Sequence, residues 1–272
     1  MAQTYPIEHS VPQIGLIVRF EGLWTGYDGP DVLRDVGFQV AAGEVAVLSG
    51  PTAAGKTSLL HVMRLALPPR QGDATVLGED ITRLSERRRA RLKRQVGYIG
   101  EEPTFVEDWS VFDNVALPLR VAKRKPAEYE PDVRELLAFV GLEDAAGEPA
   151  GHLSFAERRR VAIARALAGK PDLILADEPG AGLNLDGAMR VFRLIAEMRR
   201  IGAGIVIATQ SPEFADGIEA THWHIEDGRV SRGEHDGGYA SAPDYDETGY
   251  TAEDEQGEYP DYYGDDDAEN YR

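Results

Sequence analysis

The 272-residue chain is predicted to adopt an α/β fold with a mainly parallel sheet. Short apolar runs such as EVAVLSG, DLILAD and GIVIAT have the length and composition of buried strands. Segments with the apolar spacing of helices separate these runs along the chain. Because strands that alternate with helices favour parallel pairing, we expect a sheet covered by helices on both faces.

The N-terminal elements are predicted to be mostly strands. Residues 14–48 are rich in β-forming residues and alternate apolar with polar side chains. GKTSLLHVMRLAL has helical spacing and is expected to continue until Pro68 and Pro69 stop it. GDATVLGEDI is predicted to form a hairpin or strand edge, and Ser85 is predicted to cap the charged helix that follows.

Helical patterns dominate residues 103–168 and interrupt the strand alternation, which predicts a helical subdomain. After DLILAD, the pattern predicts a helix over GAMRVFRLIAEMRRIG, the strand GIVIAT and a helix over PEFADGIE. HWHIEDGRV is predicted to form a closing pair of strands. The folded domain is therefore expected to span residues 14–230.

The composition excludes several classes of protein. The chain has no cysteine, so it contains neither a disulfide framework nor a thiolate metal site. No run approaches the roughly 18 apolar residues of a membrane-spanning helix. The segment MAQTYPIEHS lacks the basic and apolar pattern of a signal peptide. A cytoplasmic location fits these observations.

The C-terminal segment, residues 231–272, is predicted to be an acidic, tyrosine-rich and disordered tail. Residues 232–272 contain 14 acidic and 2 basic residues, a net charge of −12 within the −18 of the whole chain. A segment of this composition cannot bury enough apolar surface to fold. The tail is either a solvated, solubilising segment or an adhesive segment for a partner, and its charge says little about what the folded domain binds.

The clearest chemical motif is GPTAAGKT, residues 50–57, between a predicted strand and a predicted helix. It matches G-x-x-x-x-G-K-[ST], in which backbone N–H groups and a helix N-terminus bind phosphate. Lys56 is predicted to contact the β- and γ-phosphates, and the Thr57 hydroxyl is predicted to bind Mg²⁺. The predicted nucleotide-contacting residues of this loop are Gly50, Pro51, Thr52, Ala53, Ala54, Gly55, Lys56, Thr57 and Ser58.

Two adjacent acids end the predicted strand LILAD. Asp177 is predicted to hold Mg²⁺ through water, and Glu178 is predicted to polarise the attacking water as a general base. Paired acids at a strand end also occur as solvated turn residues. Beside a phosphate loop, however, they favour a site for ATP and Mg²⁺.

The segment HLSFAERRRVAIARAL, residues 152–167, resembles the signature segment of ATP-binding cassette (ABC) proteins. The order of motifs over residues 14–230 is also similar to that family. The resemblance implies a P-loop NTPase fold, that is, an ABC nucleotide-binding domain with an antiparallel N-terminal β-subdomain and an α-helical subdomain. It also implies a homodimer that encloses two ATP molecules, in which Ser154 contacts the partner's ATP and Tyr27 stacks on adenine.

Several positions depart from the family pattern. Glu101 stands where the family has a glutamine that senses Mg²⁺, and a carboxylate there can still bind the metal. Gln210 stands where the family has a histidine that contacts the γ-phosphate, and glutamine cannot carry a positive charge. Glu178 is retained, so we expect the chain to hydrolyse ATP, with Glu178 and Gln210 as the catalytic residues. The altered positions are expected to make this hydrolysis slow. The altered positions are Ala53, Glu101, Phe155, Ala156, Asn184 and Gln210.

Three longer segments, GPTAAGKTSLL, VFDNVALPLRV and VAIARALAGKPDLILADEP, resemble the FtsE family of cell-division ATPases. This resemblance implies a peripheral subunit on the cytoplasmic face of the bacterial inner membrane, which signals through an FtsX-like integral membrane subunit to cell-wall hydrolases. The ATPases of lipoprotein-release and macrolide-efflux exporters share much of the sequence of these segments. A hydrolysis-deficient nucleotide-binding scaffold is a further alternative.

The surface predicted to contact the membrane partner is residues 100–114, again by resemblance. EEPTFVEDW within it is acidic and aromatic, so a basic, apolar coupling helix is the expected partner. The basic runs at residues 86–94, 123–125 and 158–160 are either solvated helix faces or a surface turned toward anionic lipid. Nucleic acid is disfavoured, because the chain is acidic and these runs lack interleaved aromatic residues.

Overall fold

The computed structural model of the protein describes residues 15–102 and 104–233. Over this part of the chain, three strands precede the first helix, and strands and helices are interspersed after it. The strands are β1 (Leu16–Thr25), β2 (Leu33–Ala41), β3 (Val45–Ser49), β4 (Gln71–Val76), β5 (Glu79–Asp80), β6 (Val96–Ile99), β7 (Leu173–Asp177), β8 (Gly204–Thr209), β9 (Thr221–Glu226) and β10 (Arg229–Arg232).

The α-helices lie in separate regions of the chain. Two helices lie among the N-terminal strands, three follow one another in the helical region between β6 and β7, and the last follows β7. They are α1 (Lys56–Met63), α2 (Glu86–Lys93), α3 (Val111–Val121), α4 (Pro126–Phe139), α5 (Phe155–Ala168) and α6 (Leu185–Ala196). Among the described residues, no helix is long and apolar enough to cross a bilayer.

The larger sheet has the strand order β10-β9-β3-β8-β7-β6. Its strands pair in parallel except β9 and β10, which form an antiparallel hairpin. This arrangement confirms the mainly parallel sheet that the sequence predicts. The smaller sheet, in the order β2-β1-β4-β5, is antiparallel throughout, which confirms the predicted N-terminal β-subdomain and the β4–β5 hairpin.

The larger sheet buries both of its faces. In β3, Val45 and Val47 pack with the helical region, whereas Ala46 and Leu48 pack with α1 and the smaller sheet. Successive side chains of a strand point to opposite faces, so a strand buried on both sides must be apolar at every position. This explains why runs such as EVAVLSG are apolar at nearly every position instead of alternating between apolar and polar residues.

Three predicted boundaries differ in the structure. The first helix ends at Met63 rather than near Pro68, because the backbone turns to the left-handed region at Leu65 (φ 59°). The segment PEFADGIE forms only a four-residue 3-10 turn, Pro212–Ala215, because Asp216 is extended and Gly217 is left-handed. Strand β10 runs to Arg232, two residues into the predicted tail, and the tail beyond Gly233 lies outside the described residues.

Parallel pairing brings the ends of four neighbouring strands to one edge of the larger sheet. Strands β3, β8, β7 and β6 are adjacent, and each is followed by one of the predicted site segments. In open α/β sheets, ligands bind in the crevice outside the carboxyl ends of the strands. The topology therefore collects segments that are up to about 160 residues apart in the sequence.

Candidate functional site

The phosphate loop between β3 and α1 has a conformation that needs glycine at both ends. A side-chain carbon at Gly50 would lie 2.1 Å from the carbonyl oxygen of Ile225. Gly55 is left-handed (φ 113°) and precedes the first residue of α1 without giving it a side-chain cap. The first N–H groups of a helix have no intrahelical acceptor, so this uncapped end favours an anion.

Lys56 lies across the mouth of this loop. Its side chain is 7% exposed, and its Nζ donates to the carbonyl oxygens of Gly50 at 2.7 Å and Pro51 at 3.1 Å. The same Nζ is 3.6 Å from Oε1 of Glu178. The ammonium is therefore held between the loop and the carboxylate that ends β7.

Asp177, the last residue of β7, is a buried carboxylate with unused hydrogen-bonding capacity. The Tyr98 hydroxyl donates to its Oδ2 at 3.3 Å, whereas its Oδ1 has no hydrogen-bond partner within the described part of the chain. Burial raises the pKa of Asp177, and hydrogen bonds from Thr57 and Tyr98 act in the opposite direction. A cation beside Thr57 and Asp177 would compensate this buried charge.

Glu178 is fixed in an unusual backbone conformation with its side chain in the site. Its φ of 43° is left-handed, and its backbone N–H donates to Ala208 on β8. Its Oε2 accepts a hydrogen bond from the backbone N–H of Gln210 at 3.2 Å. Strained residues of this kind cluster at active sites, where the surrounding structure holds them in place.

A cavity of about 330 Å³ brings most of the predicted residues together. Gln210 joins its two sides, because its Oε1 accepts a hydrogen bond from the Thr52 hydroxyl of the phosphate loop at 2.8 Å. The lining residues are Val32, Thr52, Ala53, Gly55, Lys56, Thr57, Ser58, Glu101, Glu178 and Gln210. The other predicted loop residues are Gly50, Pro51 and Ala54, within the same turn.

The residues present fit a magnesium ion bound together with a phosphate group. The Thr57 hydroxyl and the free Oδ1 of Asp177 are oxygen ligands of the kind Mg²⁺ prefers. Within the described residues, no three histidine or acidic side chains form a cage for a metal by themselves. This agrees with Mg²⁺ sites that use one or two carboxylates, water and substrate phosphates.

Asp177, Tyr27 and Ser154 do not line this cavity, but Asp177 adjoins it through a hydrogen bond from the lining residue Thr57. The Tyr27 ring is half exposed, and its hydroxyl is 3.0 Å from Nδ1 of His61, so the ring is anchored beside the last turn of α1. Burial, and secondarily Arg64, lowers the pKa of His61. Stacking of Tyr27 on a base therefore stays a prediction.

Ser154 instead caps α5. Its hydroxyl accepts from the backbone N–H of Glu157, and the Glu157 side chain accepts from the backbone N–H of Ser154, which completes a capping box. The adjacent Phe155 is half exposed, and its ring packs on Gly182. The role of Ser154 toward a partner's nucleotide is a prediction that depends on a dimer.

Tyr98 and Val32 belong to the site but are absent from the sequence-based prediction. Tyr98 is on β6 and pairs with Leu175 of β7, so its hydroxyl reaches the end of that neighbouring strand. Burial and the nearby Asp177 raise the pKa of Tyr98 to about 12, so the phenol stays a hydrogen-bond donor at physiological pH. The sequence signal for Tyr98 is its place near the end of a strand beside β7, which requires the strand order to be known.

Ala53 occupies the left-handed region (φ 62°) of the phosphate loop. A side chain is strained in this conformation, so alanine here lowers folding stability. We expect Ala53→Gly to raise the free energy of unfolding by up to about 1 kcal/mol, measured by urea denaturation. Ala54→Gly is the control, since Ala54 is not left-handed. A loss of stability in Ala53→Gly would contradict this account.

The comparisons with known proteins agree with this geometry. The family model described as ABC transporter matches residues 33–181. The chain belongs to the ABC transporter family. It is one of the family's ATP-binding subunits, and its fold is the ABC ATPase fold that the sequence predicts.

Similar solved structures come from ABC transporters. The CbiO1 subunit of Clostridium perfringens, part of the CbiONQ transporter complex, is 28% identical, with a TM-score of 0.71 over 80% of this chain and 87% of that one. The ATP-binding subunit of another ABC transporter is 27% identical, with a TM-score of 0.70 over 80% and 89% of the two chains. A dimeric bacterial ABC cassette, 24% identical, has the same fold, with a TM-score of 0.73 over 79% and 97%.

Proposed function

We propose that this ABC subunit binds ATP with Mg²⁺ and hydrolyses it slowly as a homodimer, on the cytoplasmic face of the membrane with an FtsX-like partner. The observation that carries the proposal is the convergence of the phosphate loop, Asp177, Glu178 and Gln210 at one edge of the parallel sheet. One related cassette was solved as a dimer with ADP and phosphate. That protein supports the ligand and the dimer as expectations for this chain.

Each residue has a distinct proposed role. The N-terminus of α1 and the Lys56 ammonium bind the β- and γ-phosphates, while Thr57 and Asp177 hold Mg²⁺, which neutralises phosphate charge when bound. Glu178 accepts the proton of the attacking water. Its position is supported by the Gln210 backbone N–H and by Lys56.

The proposed slow rate of ATP hydrolysis follows from the hydrogen bonds that the Gln210 side chain can donate. Its Oε1 is engaged by Thr52, which leaves its amide N–H groups free to donate to the γ-phosphate. A neutral amide stabilises developing negative charge less than a cation, because charge-assisted hydrogen bonds are roughly twice as strong as neutral ones. Glu101 adds a negative side chain to the same cavity.

The proposed contact with the membrane partner is the predicted surface, residues 100–114, and its exposed apolar groups lie within residues 104–114. Asn114, which is fully buried, holds this segment by bonding both the N–H and the carbonyl of Val106. Val106 and Trp109 stay exposed by 39% and 36% on the surface, beside the acids Glu107 and Asp108. Apolar and acidic groups on a fixed loop match the basic, apolar coupling helix expected from the sequence.

Trp109→Ala is therefore expected to lower recovery of the FtsX-like subunit in co-purification at least about tenfold, because aromatic anchors dominate interface energies. ATP affinity should stay unchanged, since Trp109 does not line the cavity. Phe139→Ala is the matched control, because Phe139 is a similarly exposed aromatic on α4. Equal recovery of the partner by both variants would contradict this surface.

Depletion of the protein in its own bacterium distinguishes a role in cell division from a role in export. The FtsE-like role predicts long, undivided cells with normal release of lipoproteins. Undisturbed division with lipoproteins retained at the inner membrane would favour the exporter alternative. A defect in division that Glu178→Gln fully complements would favour the non-hydrolysing scaffold.

A further inference from the structure

An arginine is buried between the two loops that flank the cavity. Arg159, in the first turns of α5, is 1% exposed and is the largest fully buried side chain among the described residues. Arginine is almost never fully buried unless its charge is paired. The sequence predicts only a solvated face or a lipid-facing surface for the run that contains it, and for Arg159 both alternatives are wrong.

The guanidinium connects segments that follow two different strands. Its Nη1 donates to the carbonyl oxygen of Gly100 at 3.0 Å, and its Nη2 donates to that of Ala181 at 3.2 Å. Gly100 directly precedes Glu101, and Ala181 follows Glu178 by three residues. Arg159 thus fixes the distance between the two backbone segments that carry acids into the cavity.

Two carbonyl dipoles do not neutralise a buried cation. Burial lowers the pKa of Arg159, and the negative charge of Glu101 acts in the opposite direction. The Arg159 Nε is also buried without a hydrogen-bond partner in the described ranges, and the guanidinium lies 5.3 Å from the centre of the Phe155 ring. Glu101 is the acid next to this contact, because it directly follows Gly100, whose carbonyl oxygen accepts from Nη1.

We propose that Arg159, held by the carbonyl oxygens of Gly100 and Ala181, is a positioning residue that acts through Glu101, because its cation offsets the negative charge that Glu101 places in the phosphate site. This rests on the proposed function, because it assigns Arg159 a role toward a bound triphosphate. The charge of Glu101 is tolerated beside the phosphates because the Arg159 cation is hydrogen-bonded to the residue before it. Without Arg159, Glu101 repels the nucleotide.

The test is a double-mutant cycle on ATP affinity with Mg²⁺, read with a fluorescent ATP analogue. Arg159→Gln is expected to weaken binding about tenfold, which corresponds to about 1.4 kcal/mol. Glu101→Gln combined with Arg159→Gln is expected to bind within about threefold of Glu101→Gln alone, because a neutral residue 101 needs no counter-charge. A residue with a merely structural role would not be rescued in this way.

Arg165→Gln is the matched control. Arg165 is on the same helix, donates to the carbonyl oxygen of Thr104 at 2.6 Å and lies over the Phe105 ring, but it does not reach the cavity. We expect it to bind ATP like the wild type. If Arg159→Gln does not fold alone, the double variant must fold and bind, and its failure to fold contradicts the proposal.

The possible outcomes separate this proposal from the proposed function. If wild-type protein binds no ATP, the proposed function fails. If wild type binds ATP and Arg159→Gln binds equally well, or is weakened without rescue by Glu101→Gln, only the role of Arg159 fails. Weakening with rescue supports both.

Discussion

Lys56→Ala is expected to weaken ATP binding at least about 100-fold, because charge-assisted hydrogen bonds to two phosphates contribute about 3 kcal/mol in total. The ammonium is buried between the phosphate loop and Glu178, so no exposed side chain can replace it. Its removal also leaves the Glu178 carboxylate without its ion-pair partner beside the triphosphate. Isothermal titration of ATP in the presence of Mg²⁺ measures this effect.

Lys93→Ala is the control for the lysine substitution. Lys93 is an exposed residue at the end of α2 and does not line the cavity. It should leave ATP affinity unchanged. An affinity for Lys56→Ala within a few-fold of the control would mean that the nucleotide does not bind in the phosphate loop.

Glu178→Gln is expected to lower the rate of phosphate release at least about 100-fold, because a positioned general base contributes 10²–10⁴-fold. Glutamine keeps an oxygen that can accept the hydrogen bond from the Gln210 backbone N–H, so the shape of the site is retained. ATP affinity should therefore change only a few-fold. Steady-state phosphate release from the complex with its membrane partner measures the rate.

Removal of an acidic side chain from the surface is the control for the Glu178→Gln substitution. Glu143→Gln removes a carboxylate from an exposed turn before α5 and should hydrolyse ATP like the wild type. If wild-type protein releases phosphate no faster than Glu178→Gln, the chain does not catalyse hydrolysis, and the scaffold alternative replaces the ATPase. A fast wild-type rate would mean that the altered positions, Gln210 among them, are compensated.

Local patterns in the sequence predict the strands, the phosphate loop and the acids at the end of β7. These depend on interactions within a few residues, such as the glycines at positions 50 and 55 and the continuous apolar run of β7. Short-range signals also predict the caps, and Ser85 accepts from the N–H of Arg88 as expected. The fold class follows from the order of these elements.

Tertiary contacts decide the features that the sequence leaves open. Tyr98 reaches Asp177 only because β6 pairs with β7, and Arg159 is buried only because α5 packs between two loops. A run of three arginines has no local property that separates the buried member from the exposed ones. The PEFADGIE helix fails because Gly217 adopts a left-handed conformation that apolar spacing does not reveal.

Asp177→Asn tests the central claim, that a phosphate loop and a buried aspartate form one site for Mg²⁺ and ATP. The measurement is ATP affinity with Mg²⁺ and with EDTA, for wild type and for this variant. We predict that Mg²⁺ raises wild-type affinity at least about tenfold and that the variant loses most of this increase, because the Asp177 carboxylate is proposed to hold the metal together with Thr57. Absence of ATP binding by the wild type, or the same Mg²⁺ effect in both proteins, would contradict the account.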